Sequence, residues 1–536
     1  MSTVDPLVAV TDLHVSFPGG VHAVRGISFT VAPGECVAIV GESGSGKSVT
    51  ARTLVGLAGD TATVRHGGLS VAGRDTTGYS DRDWQRLRGR LVGLVLQDAL
   101  VSLDPLNTVG REIGEALRTH RIGTAGERPA RIAALLESVT VPPDRAGSYP
   151  HELSGGLRQR ALIASAIAAD PPLLIADEPT TALDVTVQAQ LLRLLAKRRA
   201  EGHALLLVSH DLAVVAGIAD RVLVMRDGRI VEQGPTERVL RAPEDEYTRL
   251  LLAAVPTAES RGVRLSSATR EPLPPRPEPG AEVLSAEGIH HRFGARTAVE
   301  DVTFALRRGE TLGIVGESGS GKTTVARIAL GLLDPTAGTV RLDGEPWSGI
   351  PERRRRSRRR RLQVISQDPL SSFDPRYTVE DIVGEPLDER GRTRRDRVVE
   401  LLERVGLGAD HLRRRPRALS GGQRQRVTIA RAIGPRPDVL VCDEPVSALD
   451  VSIQAQVLDL LCDLQAADGT ALLFISHDLG VVHHLADRVL VMQGGRVVED
   501  GPVNAVFNTP AHEYTQRLLA ALPSLDLSGA PAGDHA

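Results

Sequence analysis

Cysteine occurs only three times in the chain, at Cys36, Cys442 and Cys462, with no spacing that suits a metal or a bridge. That scarcity argues against a disulfide framework or a zinc site and fits a reducing, cytosolic setting. Lysine is equally scarce: Lys47, Lys197 and Lys322 are the only lysines among 64 Lys and Arg residues. Arginine stands wherever either cation serves, a bias expected of high-GC coding. Two of the three lysines lie inside glycine-rich loops, where a compact ammonium enters a phosphate cradle and a broad planar guanidinium does not. Net charge is small, −3 at pH 7, so no global basic field points to nucleic acid. No stretch reaches the ~18 uninterrupted apolar residues that a membrane span needs, which makes any membrane role peripheral and dependent on a partner. Residues 1–10 lack a basic segment followed by an apolar core, so no signal peptide is expected.

What the chain does contain is a copy of itself. A length of 536 residues allows about two to four domains, and 41% hydrophobic with 24% charged residues fits a soluble globular protein with sizeable cores. GESGSGKS at 41–48 returns as GESGSGKT at 316–323, and LSGGLRQR at 153–160 as LSGGQRQR at 419–426. ADEPTTALDVTVQAQ at 176–190 returns as CDEPVSALDVSIQAQ at 442–456, and VSHDL at 208–212 as ISHDL at 475–479. A repeat this long is a duplicated domain and not a solenoid. We expect a first domain over 1–256, a linker over 257–281, a second domain over 282–523 and a frayed tail over 524–536. The linker includes EPLPPRPEPG at 271–280, whose prolines favour an extended, semi-rigid spacer without a core of its own, reaching roughly 80 Å at most.

Each copy reads as α/β. CVAIV, LLIAD and ALLLVSH in the first, and TLGIV, VLVCD and ALLFISH in the second, are apolar runs of the kind that form buried parallel strands. Helical stretches at 185–200 and 451–465 lie between them, which argues for a parallel sheet with crossover helices.

The glycine loops fit G-x-x-x-x-G-K-[ST] between a strand and a helix, the setting that motif requires. Gly41, Glu42, Ser43, Gly44, Ser45 and Gly46, and their counterparts Gly316, Glu317, Ser318, Gly319, Ser320 and Gly321, would wrap backbone N–H groups around the phosphates of ATP. Lys47 and Lys322 would reach the β- and γ-phosphates, and Ser48 and Thr323 would hold Mg²⁺. Asp177-Glu178 and Asp443-Glu444 close apolar runs at strand C-termini, where open α/β sheets bind ligands. Asp177 and Asp443 suit the Mg²⁺ shell, and Glu178 and Glu444 suit positioning or deprotonating the attacking water.

With LSGG, the Asp-Glu pair, SALD-type and SHD elements in this order, nearly the whole chain outside linker and tail resembles the ATP-binding-cassette (ABC) ATPases. The resemblance implies two P-loop NTPase domains, each a mainly parallel sheet with an antiparallel β subdomain and an α-helical signature subdomain. It makes Gln97 and Gln367 the glutamines that sense Mg²⁺ and meet a membrane partner. Ser154, Gly155 and Gly156, and Ser420, Gly421 and Gly422, become signature loops. Asp184 and Asp450 become D-loop aspartates, and His210 and His477 the switch histidines near the γ-phosphate. Phe17 and Phe293, just over twenty residues before their loops, stack on adenine or serve as strand-core residues. The family architecture also implies that the two copies pair, the loop 41–48 with Ser420–Gly422 and the loop 316–323 with Ser154–Gly156; because both copies keep Lys, Asp, Glu, Gln, His and LSGG, two competent ATP sites are expected.

QDALVSLDPLNTVG from Gln97 and QDPLSSFDPRYTV from Gln367, with the closing DEYTRLLLAAVP at 245–256 and HEYTQRLLAALP at 512–523, are similar to segments of dipeptide, oligopeptide and nickel importer ATPases. Ala99 stands where that pattern has proline, and Ser366 where it usually has an aromatic. Relatives that ligate an iron–sulfur centre carry a cysteine cluster beyond the first cassette; residues 251–281 contain no cysteine, so none is expected. The resemblance implies two integral-membrane permease subunits, an extracytoplasmic binding protein and a place on the cytoplasmic face of the cell membrane. The class that stays open beside it is a soluble twin cassette acting on the ribosome or DNA. The run RRRRSRRRR at 353–361 reads as a solvated helix face, with nucleic-acid or anionic-lipid contact as rivals.

Overall fold

A computed structural model describes residues 5–96, 102–180, 183, 185–447 and 449–522. The chain divides into two units, with the boundary between Leu252 and Ala253. In the first unit the runs without alternation become strands buried on both faces, Cys36–Val40, Leu173–Asp177 and Ala204–Val208. They sit inside a six-stranded sheet ordered Val92–Val95, Leu173–Asp177, Ala204–Val208, Cys36–Val40, Arg221–Arg226, Arg229–Pro235. The first five are parallel and the last is an antiparallel edge. The second unit repeats the order with Leu362–Ile365, Val439–Asp443, Ala471–Ile475, Thr311–Val315, Arg488–Gln493 and Arg496–Pro502.

Period-two geometry sends alternate residues of these strands to opposite cores. In the second unit Val439, Val441, Leu473 and Ile475 face one cluster, which includes Val299, Phe304 and Trp347 of the antiparallel side. Leu440, Cys442, Leu472 and Phe474 face the other, which includes Val398, Leu402 and Ile429 of the helical side. The antiparallel sheet is built on Glu282–Phe293 and Arg296–Arg307, matching Val8–Phe17 and Val21–Val31 in the first unit. The helical part is Val379–Gly384, Gly391–Arg404 and Gly421–Ile433, matching Val109–Thr119, Arg128–Ser138 and Gly155–Ile167.

The proline-bearing stretch is not a free spacer: residues 257–276 lie against the second unit. Asp459 accepts the Leu265 and Ser266 N–H groups at 3.0 and 2.9 Å, and Arg264 grips Asp463 with both terminal nitrogens at 3.0 and 2.7 Å. Ser260 Oγ lies 3.0 Å from Nδ1 of His484, a buried ring whose pKa burial pushes down to about 4. Comparison with the first unit explains the docking. There, Asp220 accepts the N–H of Cys36 at the start of the phosphate-loop strand, and Arg199 donates to Asp220 and to the Ile218 carbonyl. In the second, Asp487 accepts the Thr311 N–H, but Gln465 stands at the helix position and turns to the Gly309 carbonyl and Thr311 hydroxyl. Arg261 and Arg276 supply the missing guanidinium, donating to Asp487 at 3.2 and 3.4 Å, and Arg276 also donates to the Leu485 carbonyl at 2.5 Å. The stretch therefore completes the second unit as well as connecting the two.

The arginine run is also an internal device. Arg355, 7% exposed, donates to the Gly331 and Ile350 carbonyls. Arg359 reaches Leu330 O and Glu352, Arg358 the Leu342 and Pro346 carbonyls, and Arg361 Asp438 and Asp343. Of these, Arg355 and Arg359 cap carbonyls just beyond the helix Lys322–Ala329, favourable at the negative end of its dipole. Arg88 does the same for Val55 and Gly56 in the first unit. Half of the run is thus turned inward, with Arg353, Arg354, Arg356 and Arg360 on the surface, and neither phosphate-binding reading is needed to explain it.

Trp84 and Trp347 are the chain's only tryptophans, one per unit, so in a Trp84→Phe chain Trp347 fluorescence reports the second unit alone. Arg276→Ala in that chain should destabilise the second unit by about 1.5–3 kcal/mol, the usual loss for hydrogen bonds to a charged group. An unchanged urea midpoint would sink the structural role given to the stretch.

Candidate functional site

Both phosphate loops leave a buried strand and enter a helix through a left-handed glycine. Gly46 and Gly321 cap Lys47–Thr53 and Lys322–Ala329 with φ of 101° and 105°, a region closed to most side chains. A Cβ there would meet the Ala23 or Ala298 carbonyl at 2.4 or 2.5 Å, and at Gly41 or Gly316 the Met225 or Met492 carbonyl at 2.1 or 2.2 Å. Neither cap has a side-chain hydrogen bond, so first-turn N–H groups and the positive end of the helix dipole are presented together, as an anion site requires. Lys47 Nζ donates to the Gly41 and Glu42 carbonyls, both at 2.7 Å. Lys322 repeats this with Gly316 and Glu317 at 2.7 and 2.8 Å. Ser45 and Ser320 are 5% exposed, and among the described residues their hydroxyls have no hydrogen-bond partner. Ser43 and Ser318 are exposed on the loops.

The carboxylates stand beside the loops. Asp177, with a fully buried side chain, accepts the Ser48 hydroxyl at 2.8 Å through Oδ1, while among the described residues Oδ2 has only Arg52 at 3.9 Å. Burial raises its pKa, against the opposing pull of Ser48 and Arg52. Asp443 accepts Thr323 at 3.4 Å, and burial, then the charge of Glu444, raises its pKa. A carboxylate buried this way with an unshared oxygen is suited to a cation. Glu178 and Glu444 follow in the left-handed region, each with φ 49°, a strained setting for a non-glycine residue. Their N–H groups bond to Val208 and Ile475 at 2.9 and 3.0 Å. His210 Nδ1 lies 3.2 Å from Glu178 Oε2, and His477 Nδ1 lies 3.3 Å from Glu444 Oε2.

Gln367 Nε2 donates to the same Glu444 oxygen at 2.9 Å; Gln97 lies outside the described residues. Ser154 and Ser420 are exposed N-caps of the signature helices, accepting from Leu157 and Gln423 N–H groups. Gly155, Gly156, Gly421 and Gly422 form the first turns behind them. Only the second helix has a full capping box, because Gln423 also accepts from the Ser420 N–H and Leu157 has no group for it. Asp450 is the N-cap of Val451–Asp468, and Asp184 lies outside the described residues. The two phenylalanines, each the last residue of its strand, are not equivalent. Phe17 packs on the core, while Phe293 is 51% exposed and edge-on to His291.

Two residues were not singled out from the sequence. The Tyr247 and Tyr514 hydroxyls accept from the Glu42 and Glu317 N–H groups at 3.0 and 3.1 Å. Their signal was present in the repeated EYT of the two closing helices, but a closing helix reads first as packing.

A mononucleotide-type cradle beside a strand-end Asp-Glu pair, present twice, defines a duplicated nucleoside-triphosphate hydrolase. Residues 24–181 and 299–447 match the ABC transporter family, and residues 231–278 and 498–532 match the oligopeptide/dipeptide transporter C-terminal region. The chain belongs to the ABC transporter family, as an ATP-hydrolysing member with two nucleotide-binding cassettes. It is 42% identical to the oligopeptide transport ATP-binding protein OppD of Mycobacterium tuberculosis, over 97% of this chain and 99% of that protein. It is 43% identical to the glutathione import ATP-binding protein GsiA of Salmonella typhimurium, over 97% of this chain and 90% of that protein. The fold is also similar to that in the complex of an archaeal ribosomal stalk protein with the ribosome recycling factor aABCE1. That likeness has a TM-score of 0.60 and 22% identity over 87% of this chain and 84% of that one, and it speaks for the fold alone.

The His477–Glu444 pair sets a pH window. The hydrogen bond with Glu444 raises His477 above 6.5, so its stabilisation is complete below 6.5 and fades as pH rises through the raised value. The hydrogen bond from His477 lowers Glu444 below 4.5, so that stabilisation is complete above 4.5 and fades as pH falls through the lowered value. Glu444→Gln should therefore cost the second unit most stability between pH 4.5 and 6.5, measured by Trp347 fluorescence. An equal cost at all pH values would exclude the ion pair.

Proposed function

We propose that the chain is the ATP-binding subunit of an importer for short peptides, working on the cytoplasmic face of the membrane with two permease subunits and an extracytoplasmic binding protein. The observation that carries this reading is the oligopeptide/dipeptide transporter C-terminal region following both cassettes. Similarity over almost the full chain to proteins named for oligopeptide transport and glutathione import supports it, glutathione being itself a short peptide. Among the described residues no helix is long and apolar enough to cross a membrane, so the path for the solute belongs to partners. The segments after Gln97 and Gln367 expose Leu106 (83%), Tyr377 (40%) and Leu370 (38%). Apolar side chains held out on one segment of each unit are suited to a permease.

In this reading the loop N–H groups with Lys47 and Lys322 bind the phosphates of ATP. Glu178 and Glu444 orient the attacking water and accept its proton, and His210 and His477 hold those carboxylates in place. Ser48 with Asp177 and Thr323 with Asp443, joined by Gln97 and Gln367, would hold Mg²⁺, which supplies charge neutralisation at the phosphates. The buried Asp177 carboxylate, whose Oδ2 has no hydrogen bond among the described residues, fits that role. Each unit carries a loop and a signature helix, which supports pairing of the two copies around nucleotide, with Asp184 and Asp450 beside them. Phe17 and Phe293 are the proposed adenine contacts. No catalytic group is missing from the described part of either copy, so both sites should turn over. Glu178→Gln and Glu444→Gln should each remove at least half of steady-state ATPase activity, and an unchanged rate in either would mark that site as silent. Reconstituted with its permeases and binding protein, the complex should hydrolyse ATP several-fold faster when di- to pentapeptides are added. Copurification with ribosomes or DNA in place of permeases would overturn the importer reading.

A further inference from the structure

Two of the chain's five tyrosines end at the phosphate loops. Tyr247, on Glu246–Ala253, and Tyr514, on Glu513–Ala520, are each 4% exposed. Each hydroxyl accepts the backbone N–H of the second loop residue, Glu42 at 3.0 Å or Glu317 at 3.1 Å. The peptide group that carries the Glu42 N–H also carries the Gly41 carbonyl, and that carbonyl accepts the Lys47 ammonium at 2.7 Å. The Gly316–Glu317 peptide is held the same way by Tyr514 and Lys322. One peptide is thus gripped on both edges, by a phenol on its N–H and by the phosphate-binding lysine on its oxygen.

The helices that bring the phenols are anchored independently of the loops. Glu232, on the edge strand Arg229–Pro235, accepts the N–H groups of Glu244 and Asp245 at 3.0 and 3.2 Å. Glu499, on Arg496–Pro502, accepts those of Ala511 and His512 at 2.8 and 3.1 Å. Asp245 then accepts the Tyr247 N–H at 2.8 Å, and His512 Nδ1 accepts the Tyr514 N–H at 3.1 Å. The N-cap residue differs between the copies while the tyrosine and its target do not.

We infer that Tyr247 and Tyr514 are positioning residues for the phosphate-binding lysines, and that each closing helix braces its own nucleotide site. The reason is the softness of the peptide they hold. It follows a glycine with φ of 142° or 148°, where no Cβ restricts rotation. If that peptide turns, its carbonyl no longer faces the ammonium, and the lysine loses one of its two backbone anchors. The phenol removes this freedom by binding the opposite edge. The lysine meets phosphate in ground and transition states alike, so loss of the brace weakens both equally and appears in KM more than in kcat. The inference concerns ATP alone and is independent of the transported solute.

Tyr247→Phe and Tyr514→Phe, made in the full chain, delete the hydroxyl and keep the ring. Each should raise the apparent KM for ATP roughly three- to tenfold, the size of one net hydrogen bond, with kcat within about twofold. The inhibition constant of AMP, which has no β- or γ-phosphate for the lysine, should stay within about twofold, as should the fluorescence-monitored unfolding midpoint in urea. An unchanged KM for ATP overturns the inference. So does a parallel weakening of ATP and AMP with a lowered unfolding midpoint, because a merely structural tyrosine gives that pattern.

Discussion

A phosphate cradle made of backbone has to keep its shape by means other than phosphate. Its amides converge, its lysine carries full charge, and its glycines leave the chain soft, so the loop depends on what is fastened around it. In the second unit the fastenings run from one end to the other. Asp487 fixes the first N–H of the strand, at Thr311, and the strand is buried on both faces up to Val315. Lys322 and Tyr514 hold the peptide after Gly316. Beyond the loop helix, Trp347 Nε1 donates to Ala329 O and Arg355 to Gly331 O. The cradle is therefore a short flexible segment between two rigid ends.

The two copies meet these demands with different residues. The guanidinium on the strand-start aspartate comes from a helix in the first unit, Arg199, and from the proline-bearing stretch in the second, Arg261 and Arg276. The closing helix is capped by Asp245 in one and His512 in the other. Carbonyls after the loop helix are capped by Arg88, or by Arg355 and Arg359 together. What recurs in each case is the group that must be satisfied, a strand-start carboxylate, a helix N-terminus or a line of orphan carbonyls. An unsatisfied buried polar group costs about 1–3 kcal/mol, so each loss on one element demands a replacement from another.

The strands were legible because parallel strands covered on both faces are continuous apolar runs, as in CVAIV and VLVCD. The loops, the Asp-Glu pairs and the histidines were legible because fixed spacing carries their chemistry. Docking of residues 257–276 was not legible. Proline content reports local stiffness, whereas the docking rests on Asp459, Asp463 and His484, and the place for a guanidinium at Asp487 shows only once Gln465 is seen where the first copy has Arg199. The arginine run misled for a similar reason: composition counts charges but does not show that Arg355 and Arg359 point at carbonyls of their own unit. Tyr247 and Tyr514 lie about two hundred residues from the peptides they hold, and no local pattern joins the two.

The same contacts bear on how nucleotide enters. Lys47 and Lys322 already bind two carbonyls each, Ser48 and Thr323 face Asp177 and Asp443, and Glu178 and Glu444 face histidines. Each of these proposed reacting groups thus has a protein partner that keeps it oriented. In the proposed reaction phosphate would reach an ammonium whose position is set by the Gly41 or Gly316 peptide, so little reorganisation is needed there, and preorganised charge is what stabilises phosphoryl transfer. The glutamates are held in the same manner. Their left-handed backbone places each carboxylate beside His210 or His477. In the proposed reaction, binding would draw on a lysine already held by its carbonyls, and hydrolysis on a carboxylate already held by its histidine.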